Sequence, residues 1–376
     1  MAIFLFKTPL AGNMSSLISL FLVACSCLLL VQSISAFHQP ISASPSLQIL
    51  SQRTSTCTST SSSSLCATLD PSAEGGASVT VIGRGYISLL AAKLAALRGY
   101  STNFICPPGE EETVKSLLGE DPATSIPPNL QLVPAADTNA LEKAAAEMDA
   151  ILIAVDDTSV LDSGVINYLL DADLAKKCKR VVAMSRNLNG KGMGFLTTAS
   201  KLSANREVWD NSNKGEFEAF EKAVKEACGK LDDCEWTVVR AGTLKGGACG
   251  EINLTDDEGT VIEGEANPEY CPQYLSRKFY ELVKKDIVSW NLLFDCAVRG
   301  VKLSKGDTFP GPGGKSVFTA TSGDVCDGDS SRAAVAEAMV RSLERADCGN
   351  IDFGVATAAA RVPPTDSEWA SLFDGM

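Results

Sequence analysis

The first residues of this chain that could do chemistry form a glycine-spaced turn. Gly83-Arg84-Gly85-Tyr86-Ile87-Ser88 follows the β-branched run Ser78–Ile82 and precedes Leu89–Arg98, an Ala- and Leu-rich stretch that stops at Gly99. The first glycine permits a tight turn, and the second lets backbone amides approach a diphosphate at a helix N-terminus. The third position usually needs Gly so that helix and strand can close up, and here Ser88 adds a small side chain. Strand, glycine turn and helix in this order predict a dinucleotide cradle. The acid that would hold an adenosine ribose at the end of the second strand is missing, since Cys106-Pro107 stands there and Glu110, Glu111 and Glu112 come later. Arg84 either faces a 2′-phosphate, which favours NADP over NAD, or points into solvent.

The only histidine, His38, precedes all of this. From Asp70 onward there is none, which excludes Ser-His-Asp and Cys-His nucleophiles and His-ligated metals. Nine of the 13 cysteines follow residue 70, scattered and without a CxxC pair. That pattern reads as reduced thiols, and no metal-ligand spacing is present. Acid–base chemistry is left to Tyr, Lys, Ser, Asp, Glu or Cys.

The elements that must position these residues alternate. After the first strand and helix come strands at Thr102–Ile105, Leu130–Val133, Ala150–Val155, Arg180–Met184 and Trp236–Arg240. Helices are predicted between them at Glu110–Leu118, Asn139–Met148, Val160–Leu174 and Glu216–Ala227. Six strands alternating with helices predict an α/β fold, a doubly wound parallel sheet of the Rossmann type spanning residues 70–250. Residues 251–330, rich in Gly, Asp and Pro, predict a small irregular lobe over the carboxyl ends of the strands, with one helix at Gln273–Lys285. Helical periodicity returns at Ser331–Arg345 and Ile351–Ala356 adds a strand, so residues 331–376 complete the domain.

Over residues 78–357 the chain resembles the atypical short-chain dehydrogenase/reductases, in particular the NAD(P)-binding proteins of plants and algae that lack the usual active site. The resemblance is carried by Gly83–Ser88, by WTVVRAG at Trp236–Gly242 with Ala241 where Pro is usual, and by SRAAVAEA at Ser331–Ala338. It implies that Gly83, Arg84, Gly85, Tyr86, Ile87 and Ser88 form the nucleotide loop. It further implies that Asp137 contacts adenine and that Ala154, Val155, Ala241 and Gly242 line the cofactor. Ser185 falls where the family carries its active-site Ser, and Lys222 where it carries its catalytic Lys. The family's Tyr, four residues before that Lys, is Glu218 here, and neither Phe217 nor Phe220 supplies a hydroxyl. Two other Tyr-x-x-x-Lys spacings, Tyr274 to Lys278 and Tyr280 to Lys284, follow the sixth strand and read as surface or packing residues. The implied activity is that of an NADP-dependent reductase or isomerase whose proton donor is Ser185, Lys222 or a Tyr between 270 and 280. The alternative is a non-catalytic, redox-sensing assembly or scaffold factor for photosynthetic complexes, with thylakoid or assembly proteins as partners.

Residues 1–69 contain no Asp or Glu. The apolar run Leu17–Val31, with Lys7 before it, predicts a signal peptide over residues 1–36; its length is short for a membrane span, so none is expected in the mature chain. Small residues precede Phe37, and an acid-free Ser/Thr stretch over 37–69 has transit-peptide composition. This arrangement resembles the bipartite plastid leader of algae with secondary plastids and implies the stroma as destination. Removing Lys7 and Arg53 with the leader leaves 31 Lys and Arg against 46 acids, a net charge of −15. Such a surface repels phosphate backbones, and general nucleic-acid binding is excluded.

Overall fold

In a computed structural model the described residues are 68–71, 76–119, 126–156, 163–186, 214–245, 275, 300–307, 329–358, 360 and 363–376. All belong to one compact unit, Ser64–Met376. The expected leader up to residue 67, the helix expected at Gln273–Lys285 apart from Leu275, its two Tyr-x-x-x-Lys spacings, and nearly all of the 251–330 lobe lie outside the described residues.

The chain alternates as its periodicity predicts. Strand β1 (Ser78–Arg84) leads into helix α1 (Tyr86–Leu97), then β2 (Ser101–Cys106), α2 (Glu111–Leu118), β3 (Leu130–Pro134), α3 (Thr138–Glu147), β4 (Ala150–Val155), α4 (Ser163–Leu169), β5 (Arg180–Arg186), α5 (Lys214–Cys228) and β6 (Glu235–Ala241). Short strand β7 (Thr243–Lys245) follows, and later β8 (Gly300–Lys305), β9 (Asp329–Ser331), α6 (Arg332–Arg341), β10 (Ile351–Ala358) and α7 (Asp366–Asp374). The main sheet runs β3-β2-β1-β4-β5-β6-β10-β8. Its first seven strands are parallel, and β8 closes the edge antiparallel to β10. The order 3-2-1-4-5-6 is that of the doubly wound dinucleotide-binding fold, reversing direction between β1 and β4.

Helices on both faces bury the sheet, which is why β4 (AILIAV) is apolar and buried at every position. On one face Val79, Val81, Leu152, Val182, Met184 and Val239 pack against α1, α2 and α6. On the other, Ile151, Ile153, Val181 and Ala183 pack against α4 and α5. Helix α1 is buried nearly all round, because it lies between the sheet and α6 and uses small Ala residues for close approach. Exposed Lys302 and Lys305 blunt the open edge at β8.

Helix α4 is shorter than its pattern, and the helix expected to reach Arg345 ends at Arg341, passing into 3₁₀ turns at Ser342–Glu344 and Ala346–Cys348. There the Ser342 hydroxyl donates to the carbonyl of Met339 and competes with continued helix. Two scattered cysteines meet: the sulfurs of Cys228, at the end of α5, and Cys234, just before β6, are 2.9 Å apart. Both are free thiols, and the hydrogen bond to Cys234 together with burial pushes the Cys228 thiol far up. Among the described residues no helix is long and apolar enough to cross a membrane.

Candidate functional site

The β1–α1 turn lies at the carboxyl edge where strand order reverses, the place where open α/β sheets bind ligands. Gly83 faces Ala154 across the β1–β4 ladder, and a Cβ on it would fall 1.6 Å from the carbonyl oxygen of Ala154. Gly85 has φ +97°, a backbone region open to glycine. Ser88 fits the third position because its hydroxyl turns back to donate to the carbonyl of Gly85 at 2.9 Å.

Helix α1 begins without a side-chain cap of its own and without an acid in its first turn. Its free amides are satisfied from elsewhere. The Tyr86 N–H donates to Oδ2 of Asp156 at 3.0 Å and the Ile87 N–H to Oδ1 at 2.8 Å. Asp156 is the residue directly after β4, and a Cβ on Gly85 would lie 2.6 Å from its Cβ. The glycine at 85 therefore makes room for this chain's own carboxylate. Arg332, the first residue of α6, donates from Nε to Oδ2 at 3.1 Å, with both side chains about nine-tenths buried. The Nη1 of Arg332 is buried without a partner.

Arg186 pins the surrounding strand ends. Its Nη2 donates to the backbone carbonyl of Asp156 at 2.6 Å and its Nη1 to that of Gly242 at 2.9 Å. The Gly242 N–H donates to the Ser330 hydroxyl, which in turn donates to the carbonyl of Val355. The ends of β4, β5, β6 and β10 are thus tied into one rim.

The structure brings together Gly83, Gly85, Tyr86, Ile87, Ser88, Ala154 and Val155; register sets Arg84 beside Val155. Ala241 ends β6 on the same carboxyl edge, two strands beyond β4, and Gly242 follows it. Asp137 caps α3 by accepting from the Ala140 N–H at 3.1 Å, and is exposed at the end of β3. Ser185, near the end of β5, is wholly buried, and its hydroxyl has no partner. It shares a face with Val181 and Ala183, toward α5, and its register neighbour is Arg240. Helix α5 presents Phe217, Phe220, Glu221 and Val224 inward. Glu218 is exposed, and Lys222 is three-quarters exposed, 3.6 Å from Glu226. Ser185 and Lys222 are not brought together: one hydroxyl is under the helix, the other side chain is in solvent.

Sequence reasoning missed Asp156, Arg186 and the role of Arg332 as partner of that carboxylate. The one signal available was an acid placed directly after a wholly apolar strand, opposite the glycine turn. At the end of β2, burial, aided by Glu111 and Glu110, pushes the Cys106 thiol up to about 11. Cys106 and Pro107 stand there in place of the expected ribose-binding acid.

No family model matches the chain, and neither does any curated protein. Among solved structures it is similar to a short-chain dehydrogenase/reductase from Veillonella parvula in complex with NADP, at 14% identity over 77% of this chain and 99% of that one, with a TM-score of 0.40. It is similar to an NAD-dependent epimerase/dehydratase of Bacillus halodurans at 11% identity over 80% and 100%, TM-score 0.41. Yeast methylglyoxal/isovaleraldehyde reductase complexed with NADPH follows at 11% over 74% and 75%, TM-score 0.39. The class of the fold, a doubly wound Rossmann-type α/β domain, rests on the strand order and the turn geometry of the chain itself.

Proposed function

We propose that this chain binds a nicotinamide dinucleotide, NADP ahead of NAD, across the carboxyl ends of β1 and β4. The observation that carries the reading is that the amides of Tyr86 and Ile87, at the switch point, already hold an oxyanion. A diphosphate offers the same chemistry to the same donors. Gly83 lets β1 close against β4, and Gly85 gives the turn its positive φ beside the Asp156 carboxylate that a diphosphate would replace. The bound nucleotide would supply hydride chemistry. Ser185, whose buried hydroxyl is unpaired near the strand ends, is the proton donor proposed for a reductase or isomerase, and a substrate oxygen reaches it only when the cover of α5 opens. Lys222, turned to solvent, would have to be replaced in that role by another residue.

A non-catalytic role is favoured by a specific observation: α5 turns Phe217 and Phe220, without hydroxyls, toward the sheet where a Tyr would be needed. In both readings residues 1–69 are a removable leader directing the chain to the plastid stroma, supported by the acid-free composition up to Asp70. Thylakoid assembly proteins are the partners of the second reading.

Calorimetric titration of the purified protein and of its Asp156→Asn variant with NADPH, NADP, NADH and NAD tests the common part. Saturable binding of any one to either protein is expected. Folded protein that binds none of the four in either form would refute dinucleotide binding and leave only an interaction scaffold without a cofactor.

A further inference from the structure

We infer that Asp156 is a built-in stand-in for the phosphate, holding the dinucleotide seat closed, and that Arg332 takes over the phosphate once Asp156 turns away; this rests on the dinucleotide reading above. Three observations converge. The two amides at the start of α1 are both occupied by one carboxylate, at 3.0 and 2.8 Å, so no oxyanion can use them until it leaves. The contact is built in, since Gly85 would collide with Asp156 if it carried a Cβ. Arg332 satisfies the carboxylate with Nε alone, at 3.1 Å, and buries Nη1 with nothing to donate to. An orphaned guanidinium N–H is costly to bury, and a group with more acceptor oxygens than a carboxylate would satisfy it.

Release needs no movement of the strand. Arg186 holds the backbone carbonyl of Asp156 at 2.6 Å, so the side chain turns about a fixed base. When it turns, the positive end of α1 and Arg332 both lose their anion and face whatever replaces it. The closed form lowers the apparent nucleotide affinity by the fraction of molecules that are open. The seat is therefore guarded by competition between an internal carboxylate and an external diphosphate.

The test compares dissociation constants for NADPH and NADH, by calorimetry, in wild type, Asp156→Asn, Asp156→Ala and Asp156→Asn combined with Arg332→Gln. Asp156→Asn is nearly isosteric and keeps one acceptor, so it guards against misfolding of the alanine variant; circular dichroism and thermal unfolding check both. At least one dinucleotide is expected to bind Asp156→Asn roughly tenfold or more tighter than wild type. Adding Arg332→Gln should reverse most of that gain. Wild type and Asp156→Asn binding equally well would overturn the closure while leaving dinucleotide binding intact. An unchanged affinity on adding Arg332→Gln would overturn the role given to Arg332. Folded variants that bind neither dinucleotide would overturn both the closure and the reading on which it rests.

Discussion

A carboxylate taken out of water must find donors, and Asp156 finds two amides and a guanidinium. They do not fully offset its burial, which pushes its pKa above the ordinary value of 3.8 against the opposing pull of Arg332 from α6, the Ile87 and Tyr86 amides of α1, and Arg186 from β5. The folded protein therefore holds this proton more tightly than the unfolded chain does. Its contribution to stability is full below 3.8 and is lost as pH rises through the higher folded value. Unfolding free energies from urea titrations over a pH series should show wild-type stability, less that of Asp156→Asn, falling across that interval. Taking the difference cancels the distant Asp347 and Asp366, whose pKa values are lowered and which lose stability in acid instead. A difference that stays flat or rises would contradict the burial argument. At this scale the glycines were legible, because a tight turn and a positive φ are demands of the backbone itself. Asp156 was not, because an acid after a strand has the same local signature whether it faces water or a helix end.

Helix α5 illustrates the next scale. Its amphipathic period was readable, and Phe217, Phe220 and Val224 do face the sheet. The period also turns Glu221 inward, where β6 offers Arg240: Nε and Nη2 donate to the two carboxylate oxygens at 2.9 and 2.7 Å, and Nη2 reaches Asp352 of β10 at 2.9 Å. This pair joins α5 to two strands. Arg240→Ala leaves Glu221 buried without its counter-ion and should cost about 3–5 kcal/mol in urea unfolding. Lys222→Ala removes only a solvent-exposed contact with Glu226 and should stay within about 0.5 kcal/mol. Equal costs for the two would mean that α5 is rotated from the orientation described. The last helix, α7, was not anticipated, although its signal was present: Thr365 and Glu368 form a capping box three residues apart.

Across the whole molecule, α7 shows how the C-terminus is fastened to the sheet. Trp369 is 2% exposed, Phe373 meets Phe353 of β10 edge-on at 5.7 Å, and Arg341 of α6 lies 5.3 Å over the Trp369 ring. Trp369→Ala should lower the unfolding free energy by about 3–5 kcal/mol, with a matching fall in the thermal midpoint. A loss under about 1 kcal/mol would show that α7 is not part of the cooperative unit. The order of residues along the chain was enough to specify the alternation of six strands with helices, the parallel class of the sheet and the glycine turn, because periodicity and backbone dihedrals are properties of neighbouring residues. It carried no sign that β10 lies beside β6 or that β8 runs antiparallel at the edge, since strand neighbours are chosen by the path of the chain. The meeting of Asp156 with Arg332, 176 residues away, at the start of α1 was likewise decided only by tertiary structure. A charge selects its partner through space, and the fold alone brings the end of β4, the first turn of α1 and the first residue of α6 to one point.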